Sequence, residues 1–105
     1  MIAFVPPAAV LKRMQLLGQL IQAAREECGM TQAELAERAG SSRPTIHRLE
    51  SGRGSVAWAT VMTVCWILGL PSDPDALSDE RRGELLARGE MIHRVRSRRE
   101  IDDDF

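Results

Sequence analysis

Between Gly29 and Gly52 the chain reads GMTQAELAERAGSSRPTIHRLESG, and this stretch leaves the backbone little choice. Thr31 stands three residues before Glu34, the spacing at which hydroxyl and carboxylate satisfy each other's free backbone donors at a helix start. Leu35, Ala36 and Ala39 give that helix one apolar face. Gly40 falls where the helix must stop and the backbone can turn through positive φ. Ser42 then caps a second helix, with Pro44 in its first turn, where no donor is missed, and Ile46 and Leu49 forming its inner face. The pattern predicts two short helices held at a fixed angle by a tight turn.

That is the arrangement of a helix-turn-helix. At about 100° per residue, with Ile46 and Leu49 inward, the outward sector of the second helix holds Pro44, His47 and Arg48, and Arg43 sits at its exposed start. Arg43 and Arg48 carry the planar fork that pairs with guanine O6 and N7, while Pro44 and the Thr45 methyl suit a thymine methyl. His47 can donate to a base or a phosphate. The competing reading is an ordinary helical hairpin whose arginines only solvate its outer face.

From Leu17 to Leu70 the chain resembles the lambda-repressor-like DNA-binding domain, the Xre-type family, in its five-helix form. The likeness is carried by LGQLIQAAREECGMTQAELAERAG, by SRPTIHRLESG and by an apolar helix ending in LGL. It implies an all-α fold in which Gln32 opens the first motif helix against a phosphate and braces the reading helix. It also implies base-facing positions for Arg43, Pro44 and Arg48, a pairing of Arg25 with Glu50, and a DNA-backbone contact for Arg53. The candidate phosphate set is thus Thr31, Gln32, Ser41, Ser42 and Arg53. Two positions depart from the family pattern: Ser41 replaces a buried branched residue, which points to a looser turn or to a hydroxyl used on a phosphate, and Pro44 has no donor for a base edge.

The remaining chain divides around this motif. At 105 residues with few aromatics, it can bury one modest core of aliphatic side chains. Residues 1–13 read as a leader or helix extension, 14–71 as the DNA-binding domain, 72–91 as a linker and C-terminal helix, and 92–105 as a flexible tail. The apolar start is not a targeting signal, because it lacks a basic n-region and is broken by Pro6 and Pro7. Pro7 instead suits a helix beginning near Ala8, MIAFV is a candidate edge strand against a dimer mate, and Met14 is a second candidate start. No segment has the length of a membrane span. Cys28 and Cys65 read as free thiols suited to a reducing cytosol.

A helix from a Ser55 cap through Leu68 is apolar on nearly every side, and a helix apolar all round is expected to be buried all round. A domain this small cannot cover it alone. A homodimer follows, with Trp58, Met62 and Trp66 at the interface. Its two reading helices would lie about 34 Å apart on an inverted-repeat operator in double-stranded DNA. The overall charge of −1 does not argue against DNA, because placement of the arginines decides. Residues 31–54 hold Arg38, Arg43, Arg48 and Arg53 against Glu34, Glu37 and Glu50, a weak surplus that again favours a dimer.

Ser78, Asp79 and Glu80 suit the start of a fifth helix ending about Met91, weakened by Gly83 and Gly89. Beyond it, IHRVRSRREIDDDF sets Arg94, Arg96, Arg98 and Arg99 before three aspartates and Phe105. This composition reads either as a solvated tail or as a segment that orders on a partner. A domain of this size with such a tail is similar to the HipB-type antitoxins. That likeness implies self-repression and a HipA-like serine/threonine kinase toxin docked through Arg96, Arg98, Arg99 and Phe105. No nucleophile, base and orienter come together in sequence, and Cys28, Cys65, His47 and His93 lack the spacing of zinc ligands. Neither an enzyme nor a cofactor or metal protein is expected. The surviving readings are an operator-binding repressor, with or without a toxin partner, and a protein-interaction adaptor that keeps the motif only as scaffold.

Overall fold

The computed structural model describes residues 5–103, with side chains for residues 5–91. Five α-helices follow one another: α1 (Ala8–Glu27), α2 (Gln32–Ala39), α3 (Arg43–Ser51), α4 (Trp58–Leu68) and α5 (Asp79–Asp103). A single 3-10 turn, Pro74–Ala76, lies before α5. No strand occurs among the described residues, so the all-α, five-helix expectation stands. The candidate edge strand MIAFV lies outside them except for Val5, which is in no strand.

The long first helix is the organising element. Its two faces feed two apolar clusters. On one side Ile21 packs with Leu35 and Ala36 of α2, Ile46 and Leu49 of α3, and Val64 of α4. On the other, Leu20, Ala23 and Ala24 meet Leu85 of α5. Leu68 and Leu70 touch both clusters. Leu20, Ile21, Leu35, Ile46, Val64 and Leu85 are fully buried, each contributing about 1.5–3 kcal/mol of transfer free energy.

Close backbone approach fixes how α1 crosses α3. A Cβ on Gly18 would stand 2.6 Å from the Leu49 carbonyl oxygen and closer still to that of Glu50. At the next turn, Gly52 (φ +66°) passes the Gln15 backbone, where a Cβ would come within 2.7 Å of Cα. Glycine at both positions lets the end of α3 rest directly on α1.

Several elements differ from the sequence-based expectation, each for a local reason. The fourth helix begins at Trp58, not after a Ser55 cap; Ala57 is its N-cap and supplies no side-chain hydrogen bond. Val56 packs against the core from the preceding loop, which holds the chain extended there. In keeping with the expectation that so small a domain cannot cover all of α4, Val61, Val64 and Cys65 face the core, while Trp58, Met62 and Trp66 are exposed. Burial pushes the Cys65 thiol above its ordinary range, whereas Cys28 is exposed.

The fifth helix starts as expected, with the Arg81 N–H donating to Ser78 Oγ at 3.1 Å. It does not end about Met91, however: the helix runs on to Asp103. After Gly89 no glycine or proline interrupts the run, and Gly89 itself earns its place by packing, since a Cβ there would lie 3.1 Å from Ala23 Cβ. Glu27 at the end of α1 pairs with Arg81 and Arg88 of α5, at 3.2 and 3.5 Å. The linker is also pinned. Arg13 bonds Asp73 and Asp75, both at 2.8 Å, and Arg82 reaches Asp75 and Asp79. The Asp75 backbone N–H, with Arg13 added, outweighs desolvation and holds the Asp73 carboxyl below its ordinary range.

Candidate nucleic-acid interface

The predicted turn is built from the predicted residues. Thr31 Oγ1 accepts from the Glu34 N–H at 3.1 Å, and Glu34 Oε1 accepts from the Thr31 N–H at 3.4 Å, completing the capping box. Gly40 ends α2 at φ +65°. The Ser41 N–H then returns to the Ala36 carbonyl at 2.9 Å, so the turn closes tightly despite Ser41, which is only half-buried. Ser42 Oγ caps α3 by accepting from the Thr45 N–H at 3.3 Å, and Pro44 occupies the first turn, where it costs no hydrogen bond.

Behind the turn lies a buried polar network. Arg25 and Glu50 are about 95% removed from solvent and meet through two nitrogens, at 2.7 and 3.0 Å. Arg25 also donates to the Met30 carbonyl at 2.8 Å, and Gln32 Nε2 donates to Glu50 Oε1 at 3.1 Å. The network therefore ties α1, the start of α2 and the end of α3 into one frame. Glu50 is spent inside it. Of the three carboxylates counted against the arginines of this unit, only Glu34 and Glu37 remain at the surface.

The outward side chains of α3 stand where the helical phase puts them: Arg43, Pro44, His47 and Arg48 are exposed, and Thr45 is half-buried. Arg48 Nη2 donates to Thr45 Oγ1 at 3.3 Å, so these two share one face. Arg53 is exposed on the loop after α3, and its N–H closes the helix end on the Arg48 carbonyl at 3.1 Å. Thr31, Gln32, Ala33 and Arg43 line an open notch at the start of α2, together with Gln22, Arg25 and Glu26. The notch offers a phosphate helix-start amides, a hydroxyl, an amide and the Arg43 guanidinium, with Glu26 the one carboxylate on its lining.

The distribution of ion pairs sets this surface apart. Among the described residues Arg13, Arg25, Arg81, Arg82 and Arg88 all have carboxylate partners. Arg38, Arg43, Arg48 and Arg53 have none. The four unpaired arginines are the four of the helix-turn-helix unit. Summing charges along the sequence misses this segregation, because Glu27, Asp73, Asp75 and Asp79 pair with arginines outside the unit. Sequence reasoning also missed Gly18, although a glycine inside a helical pattern signals a close backbone approach. Trp58, at the start of α4, lines a groove with Arg48 and Arg53, Met62 and Trp66 are exposed further along the same helix, and the side chains of Arg96, Arg98, Arg99 and Phe105 lie outside those described.

Residues 16–77 match the family model described as a helix-turn-helix domain, and the chain belongs to that family. Over 50 residues, 48% of this chain and 72% of the other, it is 46% identical to an uncharacterized HTH-type transcriptional regulator of Methanothermobacter thermautotrophicus. The fold resembles the crystal structure of the clp gene regulator ClgR from Corynebacterium glutamicum, with a TM-score of 0.51, 23% identity and coverage of 87% and 86% of the two chains.

Proposed function

We propose that this protein is a sequence-specific DNA-binding transcriptional regulator that inserts α3 into the major groove. The observation that carries this reading is the set of unpaired arginines gathered on one helix-turn-helix unit, held on a rigid frame. Arg43 and Arg48, with Pro44, Thr45 and His47, form the base-reading surface. Thr31, Gln32, Ser41, Ser42 and Arg53 form the phosphate-positioning surface. Glu50 belongs to neither; paired with Arg25, it sets the height of α3. Trp58, Met62 and Trp66, spaced by four residues on the uncovered face of α4, supply the contact for a homodimer on an inverted-repeat operator.

The experiment is a gel-shift titration against the protein's own upstream DNA at two salt concentrations, with nonspecific competitor. A competitor-resistant shift that weakens steeply with salt supports an operator-binding autoregulator. Weak, competitor-sensitive binding shifts the weight to an adaptor acting through the α4 stripe, a reading that rests on Trp66 being 82% exposed.

The antitoxin reading adds a second partner, a HipA-like kinase docked through Arg96, Arg98, Arg99 and Phe105. Its support is the composition of the tail and the HipB-type likeness. Truncation after Ile92 tests it: loss of kinase capture with DNA binding retained supports the docking, and an undiminished complex removes it.

A further inference from the structure

Beside the free arginines, between the first half of α1, the end of α3 and the start of α4, runs a groove of about 200 Å³. Its walls are Met14, Leu17, Leu49, Val56, Trp58 and Val61. The polar side chains on it are cationic: Arg48 and Arg53 stand at its rim, and no carboxylate lines it. Arg48 lays its stem past Gly54, 3.7 Å from where a Cβ would be, and turns its head back to Thr45. Arg53 has no side-chain partner among the described residues. The glycines at 52 and 54, both at positive φ, carry the loop around the groove without filling it.

We propose that this groove binds a small apolar carboxylate. An apolar wall with a few convergent polar groups is the general form of a ligand site. A guanidinium fork with no acid of its own is matched to a carboxylate in both geometry and charge. The volume sets the scale: a dry cavity of about 150 Å³ takes a benzene ring, so one ring or a short alkyl chain fits here. Met14 and Trp58, a flexible thioether and a ring with 65% of its surface exposed, can close over such a body. The site goes beyond the DNA-binding reading, and only its consequence rests on that reading: an occupant on Arg53 and Arg48 withdraws a phosphate contact and a base contact together, making it an inducer.

The test uses the full chain without DNA, so the ligand site and the DNA reading fail separately. Phenylacetate is the probe and phenylacetamide its uncharged counterpart, followed by methyl and amide resonances and by tryptophan fluorescence. The expected result is saturable shifts at Leu17, Val56 and Val61, with phenylacetamide at least about tenfold weaker. Arg53→Ala, a surface change that leaves the core intact, should erase the preference between the two compounds. Equal response to both, shifts centred on Met62 and Trp66, or no response at millimolar probe overturns the proposal. So does a probe response that disappears as protein concentration rises, because a second copy would then be the occupant.

Discussion

Arg25 grips both carboxylate oxygens of Glu50, Nε on Oε2 at 2.7 Å and Nη2 on Oε1 at 3.0 Å, and so fastens the last turn of α1 to the last turn of α3. With both side chains almost fully buried, neither charge can fall back on water. The pair holds the reading helix in place, and Arg25 also lines the open notch at the start of α2.

Removing one member is therefore expected to be worse than removing both. Arg25→Ala strands the Glu50 carboxylate, a change of about 3–5 kcal/mol, toward the lower end because Gln32 still donates to it. Arg25→Met with Glu50→Leu should recover part of that loss. About 1–3 kcal/mol remains lost, because the Met30 carbonyl loses the Arg25 donor and the buried Glu26 carboxylate loses its cationic partner. Urea unfolding of the single and double variants measures the difference; equal losses would mean the pair contributes only volume.

Two glycines in helices should respond to alanine with opposite signs. Gly18→Ala pushes a methyl against the carbonyls of Leu49 and Glu50, and the resulting overpacking, about 1–3 kcal/mol, exceeds the helix propensity gained, about 1 kcal/mol. Gly83 has open space around its Cβ position, so Gly83→Ala should stabilise by about 0.5–1 kcal/mol. Thermal melts of the two variants decide it, and a stabilised Gly18→Ala would show that the α1–α3 approach is looser than described.

Base reading and backbone contact should separate by variant. Arg43→Ala with Arg48→Ala should abolish discrimination between operator and random DNA, at about 1–3 kcal/mol for each lost bidentate contact. Arg53→Ala should weaken all sequences alike and lower the salt slope by about one. Competition gel shifts at several salt concentrations give both quantities. Unchanged selectivity in the double variant would take α3 out of the base-reading role.

The α4 stripe makes a prediction about assembly. Trp66→Ser and Met62→Ser remove apolar area that faces solvent in the single chain, so the fold should keep its melting temperature while the sedimentation coefficient falls to that of a monomer. A wild-type chain that already sediments as a monomer at micromolar concentration would move the dimer contact off α4 or onto DNA-bound protein only.

What the sequence made legible was local. The capping box of Thr31 and Glu34, the left-handed Gly40 and the Ser42 cap involve neighbours a few residues apart, and their geometry follows from residue type. The outward face of α3 followed from helical phase once Ile46 and Leu49 were set inward. Long-range partners were another matter. Arg25 with Glu50 was reached through family likeness, since nothing in spacing links residues 25 apart. Gly18 was missed and Gly89 counted only as a helix-weakening residue, because their value lies in the backbone or side chain of a different helix. The same blindness shortened α5: the penalty of its glycines was visible, and the contact of Gly89 with Ala23 was not. For the site, residue types could be assigned to the reading face, but the segregation of paired from unpaired arginines is a property of the folded surface.

The packing of Leu85 and Gly89 on α1 bears on where this protein can be cut. The recognisable family segment stops at residue 77, yet Leu20, Ala23 and Ala24, which lie within it, are covered by side chains beyond it. A fragment ending at the family boundary would carry every residue of the reading surface and still expose half of its central helix to water. The unit that evolution makes easy to recognise is thus smaller than the unit that folds, and α5 is a structural wall of the DNA-binding body rather than an appendage to it.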